Sequence, residues 1–137
     1  YGMYNKQDSL KNTHNPYYNS TTVVSSMIWG SQYDAMLNWA LTGDEANMVF
    51  ERTGNHSVSR AKTGRWGSDI MNNIFDLSSN TEEWTQEAVH ASDRARRGGD
   101  YGVTNTGVAS SRYSDGPTGV SYYYGSRLTL YMRSSEP

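Results

Sequence analysis

From Asp100 to Gly125 the chain reads DYGVTNTGVASSRYSDGPTGVSYYYG, a stretch too interrupted to build a core of its own. Gly, Pro, Asn and Asp punctuate it every few residues, so no helical period survives. It contains no Lys, Glu, Gln, Met or Trp, although all five occur elsewhere in the chain. A loop rich in Gly, Ser and Tyr can lack these five without any special origin. The stretch still imposes a division of labour. The blocks that flank it, NIFDLSSNTEEWTQEA and RARRGG before and SRLTLYMR after, must be scaffold, and the run between them a surface. Tyr with Ser, Gly and Asn is the composition of paratopes, which combine rigid amphipathic area with adaptable hydrogen bonding. Neighbouring side chains alternate in direction, so Tyr122, Tyr123 and Tyr124 cannot all point inward.

The scaffold has to be economical. The chain has 137 residues, enough for one domain, with 35% hydrophobic residues and a mean hydropathy of −0.80. Four Trp and eleven Tyr supply much of the large side-chain volume. A net charge of −2 gives no electrostatic reason to expect nucleic acid or an anionic membrane as partner. With no cysteine, disulfides, thiolate metal sites and thiol nucleophiles are excluded. No apolar run has the length of a membrane span, and no signal peptide is visible. A start at Tyr1 rather than Met implies a processed or truncated piece, with an upstream domain or partner chain.

Residues 1–22 show turn chemistry without period and are expected to form an irregular arm, followed by a domain over 23–133 and a tail over 134–137. Ser25 to Thr42 is predicted as a helix, with Tyr33, Met36, Leu37, Ala40 and Leu41 on one face. Ser31 is the expected N-cap with Asp34 as a short capping-box partner, and Gly43 the stop. A second helix is predicted over Asp44 to Phe50, and a long loop over Glu51 to Ser68, with Trp66 as its anchor. Ile74 to Leu77 reads as a short apolar step before a turn. Strands are predicted at Thr81–Ala88, Ala95–Tyr101, Val108–Tyr113 and Ser126–Met132. Leu128, Leu130 and Met132 would share one face of the last strand, opposite Thr129, Tyr131 and Arg133. The class is α+β: two helices, then short antiparallel strands with long loops.

Several blocks resemble a known family. Ile28-Trp29-Gly30-Ser31-Gln32-Tyr33-Asp34-Ala35-Met36 is similar to the W/Y-G-x-Q-W-D-A stretch of domains related to the formylglycine-generating enzyme, the sulfatase-modifying-factor variant of the C-type lectin fold. Asn73 to Thr85 resembles N-x-Y/W-D-M-A-G-N-V-W-E-W-T. Arg96-Arg97-Gly98-Gly99-Asp100-Tyr101 resembles L/S-R-G-G-S-W/Y. Ala109-Ser110-Ser111-Arg112, Pro117 and Gly125-Ser126-Arg127-Leu128 resemble the closing C/A-A-x-R…P…G-F-R. The four blocks occur in family order over most of the chain. The chain departs from the pattern at Ser79 (Gly in the family), Glu82 (Trp) and Ser126 (Phe). The family's opening strand, which precedes the helix block, is not evident in Tyr1 to Thr22. The enzymes carry a catalytic Cys where this chain has Ala109, so the resemblance implies a C-type lectin-like fold without catalysis.

Relatives with this fold include the variable proteins of diversity-generating retroelements in phage and bacteria. Those elements mutate template adenines, chiefly at Asn codons, and codon arithmetic then never yields Lys, Glu, Gln, Met or Trp. By this resemblance the variable, ligand-facing positions are Asp100, Tyr101, Val103, Asn105, Tyr113, Asp115, Ser121, Tyr122, Tyr123 and Tyr124. The partner would be a protein or glycan receptor, and the location a virion tail or bacterial cell surface. The structural set is Trp84, Glu83, Arg97, Gly98, Gly99, Arg112 and Arg127. The glycines would make a turn, Arg97 would pair with a buried acid such as Glu83 or Asp76, and Arg112 and Arg127 would act similarly. One RGG without repeats is a weak sign of RNA binding.

No cofactor is expected. Asn80 and Glu83 lie in a loop that binds structural calcium in some relatives, but one carboxylate without ligand spacing favours plain hydrogen bonding. His14, His56 and His90 lack metal-ligand spacing. Two other readings stand beside the binding module: a structural virion or surface component with the Tyr-rich run as assembly interface, and a degenerate enzyme of the sulfatase-modifying-factor type.

Overall fold

The computed structural model describes residues 23–40, 42, 59–102 and 107–132. The predicted arm and the predicted helix over Asp44–Phe50 lie outside the described residues. Within them the chain is α+β: one α-helix and eight short strands in three small sheets.

Strand β1 (Val23–Met27) leads into helix α1 (Gly30–Ala40). The predicted helix over Ser25–Thr42 is therefore shorter at its start, because Ser25 to Met27 pair with the far end of the chain. Strand β8 (Leu128–Met132) lies antiparallel to β1, with Val23 opposite Met132 and Met27 opposite Leu128.

Helix α1 buries Tyr33, Leu37 and Ala40, with Met36 partly buried beside them, which matches the predicted face. Leu41 lies outside the described residues. The cap differs from expectation. The Trp29 backbone N–H donates to Gln32 Oε1 at 2.9 Å, half of a capping box centred on Trp29. Asp34 does not cap the helix and pairs instead with Arg97. At the other end the Thr42 N–H and hydroxyl both bond to Trp39 O, at 3.1 and 2.7 Å.

After a 3₁₀ turn (Gly67–Asp69), strands β2 (Ile70–Met71) and β3 (Ile74–Phe75) form a tight hairpin. Its two loop residues, Asn72 and Asn73, have φ of 47° and 65°. Two successive positive φ values make the turn that suits a two-residue hairpin, and Asn tolerates them best after Gly. The sequence reading found Ile74 but not its partner strand.

The largest sheet has the order β6-β5-β4-β7, formed by β4 (Glu82–Ala88), β5 (Arg94–Arg97), β6 (Arg112–Asp115) and β7 (Tyr124–Ser126). The predicted strand over Thr81–Ala88 is found within one residue. Ala95–Tyr101 is cut short at Arg97 by the glycine turn. The strand predicted at Val108–Tyr113 starts later, because Val108 to Ser111 close a turn in which Ser111 N–H donates to Val108 O at 2.9 Å. The single strand predicted at Ser126–Met132 is two strands. β7 runs parallel to β4, so the expectation of purely antiparallel pairing is corrected, and β8 then leaves for β1. Arg127 is the break between them.

Among the described residues the apolar core is formed by Ile28, Tyr33, Leu37, Ala40, Met71, Leu77 and Ala109, with Met36 and Ile74 against it. A buried polar network extends it. Asp69 accepts from the Ser78 N–H (3.3 Å) and hydroxyl (2.7 Å) and from the Ser79 hydroxyl. Asp76 accepts from Gly64 N–H (3.2 Å) and from Asn80 Nδ2 (3.1 Å). Gln86 ties the sheet to β1 through Met27 O (2.6 Å) and Ser26 Oγ (3.1 Å). These satisfied polar groups are buried alongside the apolar core.

Candidate recognition surface

One face of the four-stranded sheet is set by register. Arg96 lies opposite Trp84 on one side and Tyr113 on the other, and Glu82 lies beside Tyr124. Because side chains alternate, these residues emerge together, while Glu83, Thr85, Ala95 and Arg97 emerge on the opposite face. The Arg96 guanidinium sits 4.0 Å from the Tyr124 ring centre, 5.6 Å from Trp84 and 6.0 Å from Tyr113. It pairs with Glu82, and Asp115 Oδ2 lies 4.0 Å away. A guanidinium enclosed by ring faces and carboxylates is well held, since ring quadrupoles and anions attract the same cation.

The predicted surface residues separate into two groups around this hub. Tyr124 is half-buried: its hydroxyl donates to Asp115 Oδ2 at 3.0 Å, and its ring meets Trp84 edge-on at 5.5 Å. Burial, with the Asp115 bond next, pushes its phenol up. Asp100 is buried, and its carboxylate accepts from Gly102 N–H at 2.6 Å. Tyr113 is half-buried beside Arg96. These side chains stabilise the scaffold as well as bordering the surface.

The others face outward. Tyr122 is 85% exposed and Val120 95%. Tyr123 is exposed on one side, and its ring centre lies 4.8 Å from that of Tyr101 in a tilted stack. Ser121 shapes the turn below them: its hydroxyl accepts from Tyr123 N–H (3.2 Å) and its carbonyl from Tyr124 N–H (3.3 Å). A second turn, with Gly119 N–H on Gly116 O at 2.8 Å, and the Asp115–Tyr124 bond pin the loop at its neck. Val103 and Asn105 lie outside the described residues.

Of the structural set, Glu83 and Arg97 lie on the sheet face opposite Arg96. Trp84 is on the Arg96 side and is buried. Arg127 grips Glu83 with Nε on Oε2 at 2.8 Å and Nη2 on Oε1 at 2.6 Å, and Nη2 also donates to Phe75 O at 2.8 Å. Arg97 pairs with Asp34 and covers the Tyr33 ring at 5.0 Å, so the expected Glu83 or Asp76 partner is corrected. Arg112 pairs with Glu87 at 2.6 Å on a partly exposed flank, not in the interior. Ala109 is fully buried and its carbonyl accepts from the Tyr33 hydroxyl at 3.2 Å.

Asn80 and Glu83 are committed to protein partners. Asn80 exchanges two bonds with the Ala61 backbone (3.0 and 3.2 Å), and both Glu83 oxygens are held by Arg127. That arrangement does not fit a calcium pair. Among the described residues no three His, Cys, Asp or Glu side chains gather as a metal site, and no helix is long and apolar enough to cross a membrane. Sequence reasoning missed Arg96 as the hub and Glu82 as its partner. Their juxtaposition depends on the β4–β5 register, which local patterning does not specify. No family model, curated protein or solved structure matches the chain.

Proposed function

We infer that the chain is a non-catalytic ligand-binding module with a C-type lectin-like fold of the formylglycine-generating-enzyme type. The observation that carries this reading is the loop from Gly116 to Tyr123. It is pinned at its neck by Asp115 and Tyr124, and it presents Val120, Tyr122 and Tyr123 to solvent. A pinned loop with exposed aromatics binds at low entropic cost, because little remains to be ordered on contact. The β1 strand ahead of the Trp29–Met36 block supports the fold assignment. By the motif resemblance, the module is a variable protein of a diversity-generating retroelement, carried on a phage tail or bacterial surface and directed at a protein or glycan receptor.

Sequencing the gene across one population of its source tests this. Substitutions confined to the window from Asp100 to Tyr124, all at adenines of a nearby template copy, are the expected result. Uniform low variation would sink the diversification reading and favour an assembly interface.

A stability experiment separates display from scaffold within the same three tyrosines. Tyr122→Ala should change unfolding free energy by no more than ~0.5 kcal/mol, as an exposed site without partners does. Tyr124→Ala should cost about 2 kcal/mol, since it loses ring contacts with Trp84 and Arg96 and leaves Asp115 without its donor. Equal effects in urea melts would contradict the division.

A further inference from the structure

The cations of the chain divide by partner. Arg96, Arg97, Arg112 and Arg127 each pair with a carboxylate, and Arg94 donates to Asp93 O. Arg60, Lys62 and Arg65 are exposed and, among the described residues, have no acidic partner. All three fall in one short loop, Arg60 to Trp66, which reads RAKTGRW and contains no acid.

Buried side chains fix the backbone of this loop. Asn80 exchanges two bonds with Ala61, at 3.0 and 3.2 Å, and the Asp76 carboxylate accepts from Gly64 N–H at 3.2 Å. Arg65 N–H donates to Lys62 O at 3.1 Å, closing a β-turn that sets the Lys62 and Arg65 backbones within about 7 Å of each other. The Phe75 ring packs against Gly64, where an added Cβ would stand 3.0 Å from Cδ1. Trp66, the expected anchor, is 39% exposed, so Asn80 and Asp76 anchor the loop instead. The acids of this region do not neutralise it by pairing. Asp69 and Asp76 are buried and turn their oxygens to Ser78, Ser79, Gly64 and Asn80.

We propose that the Arg60–Trp66 loop is a second binding site, which takes an acidic oligosaccharide: sugar rings lie against the exposed Trp66 and Phe75, and carboxylate or sulfate groups meet Arg60, Lys62 and Arg65.

The chemistry of the loop selects this class. Guanidinium and ammonium groups recognise oxyanions, and a fixed backbone leaves only side chains to be ordered on contact. Two exposed rings beside the cations add an apolar surface that the C–H face of a sugar covers. The Arg65 guanidinium already lies 5.3 Å from the centre of the Trp66 ring, so charge and aromatic surface are contiguous. A duplex or an anionic membrane would need a broad positive field, and the chain as a whole carries −2. The site does not rest on the tyrosine platform or on the function proposed for it.

Calorimetric titration at low salt tests the assignment, with a heparin tetrasaccharide and tetragalacturonate as ligands and maltotetraose as the neutral control. The expected result is that both acidic sugars bind, that maltotetraose does not, and that added salt weakens binding. Replacing Arg60, Lys62 and Arg65 together by Gln should weaken binding about tenfold, as the loss of three exposed charge contacts does. Trp66→Ala should weaken it about threefold through lost ring contact. Tyr122→Ala, on the aromatic platform, should leave it unchanged. Lys62→Gln alone, expected to weaken binding about twofold, covers the case in which the triple variant does not fold. No binding of either acidic sugar overturns the proposal, as does equal binding of maltotetraose or a triple variant that binds like wild type. Tighter binding to poly-glutamate or to phosphatidylglycerol vesicles, unaffected by Trp66→Ala, would make the partner an acidic protein or a membrane and overturn the sugar assignment. Loss of sugar binding in Tyr122→Ala would move the site to the platform and overturn it as well.

Discussion

Replacing Gly99 by alanine should cost at least ~3 kcal/mol and leave little folded protein, a result readable in a single urea melt. The added Cβ would enter the van der Waals shell of Ser78 O and stand 3.0 Å from the Gly107 carbonyl carbon. Both obstacles are backbone, so no side chain can swing away. Gly98 is the companion position. Its φ is 81°, in the left-handed region, and a Cβ there would lie 2.5 Å from Leu77 O and 3.1 Å from the Tyr33 hydroxyl. The pair lets β5 end against the buried Leu77–Ser78 backbone with nothing between them. Gly67→Ala is the control, since its Cβ would meet nothing within 4 Å. That variant should stay within about 0.5 kcal/mol of wild type. Comparable melts for Gly99→Ala and Gly67→Ala would show that the close passage does not exist in solution.

The glycine turn was legible in the sequence because its reason is local: two adjacent glycines after a basic strand. The helix face was legible for the same reason, as Tyr33, Leu37 and Ala40 repeat at helical spacing and are buried. Strand β1 was not. Ser25 and Ser26 mask any apolar alternation, and the partner that makes the strand is Thr129–Met132, more than a hundred positions away. The split at Arg127 was hidden similarly. Ser126 to Met132 has a good strand pattern, and only the pull of Glu83 on Arg127 shows where it must break. At the surface, the exposure of Tyr122 and Tyr123 followed from three consecutive tyrosines, which cannot all point inward. Tyr124 and Asp100 were not legible as scaffold, because their roles depend on Asp115, Arg96 and Glu82 brought together by register. Residues whose partners are non-local carry no signature in their neighbours.

Arg127 brings the non-local logic to a test. Its guanidinium holds Glu83 in bidentate geometry and bonds Phe75 O, so it joins the β2–β3 hairpin, β4 and the end of β7. Burial pushes the Glu83 carboxyl up, and the Arg127 fork works against that push. Burial likewise opposes the Arg127 charge, and Glu83 more than offsets it, holding the guanidinium above its usual range. Each charge is acceptable in the interior only because of the other. Arg127→Met should therefore cost about 3–5 kcal/mol near neutral pH, since it strands the buried Glu83 carboxylate and gives up the bond to Phe75 O. The loss should depend on pH with a definite sign. In the variant, Glu83 keeps its raised value without a counter-ion, so the unfolded chain releases its proton first as pH rises. Stability relative to wild type then falls as pH climbs above the ordinary glutamate range, and recovers in mild acid, where a neutral Glu83 no longer needs a partner. Adding Glu83→Gln to Arg127→Met should return part of the loss and remove its pH dependence, because a neutral amide costs less to bury than an unpaired charge. Urea melts of the two variants at acid and neutral pH provide the comparison. If Arg127→Met loses the same stability at both, the ion pair is not what secures the junction, and the bond to Phe75 O must carry it instead.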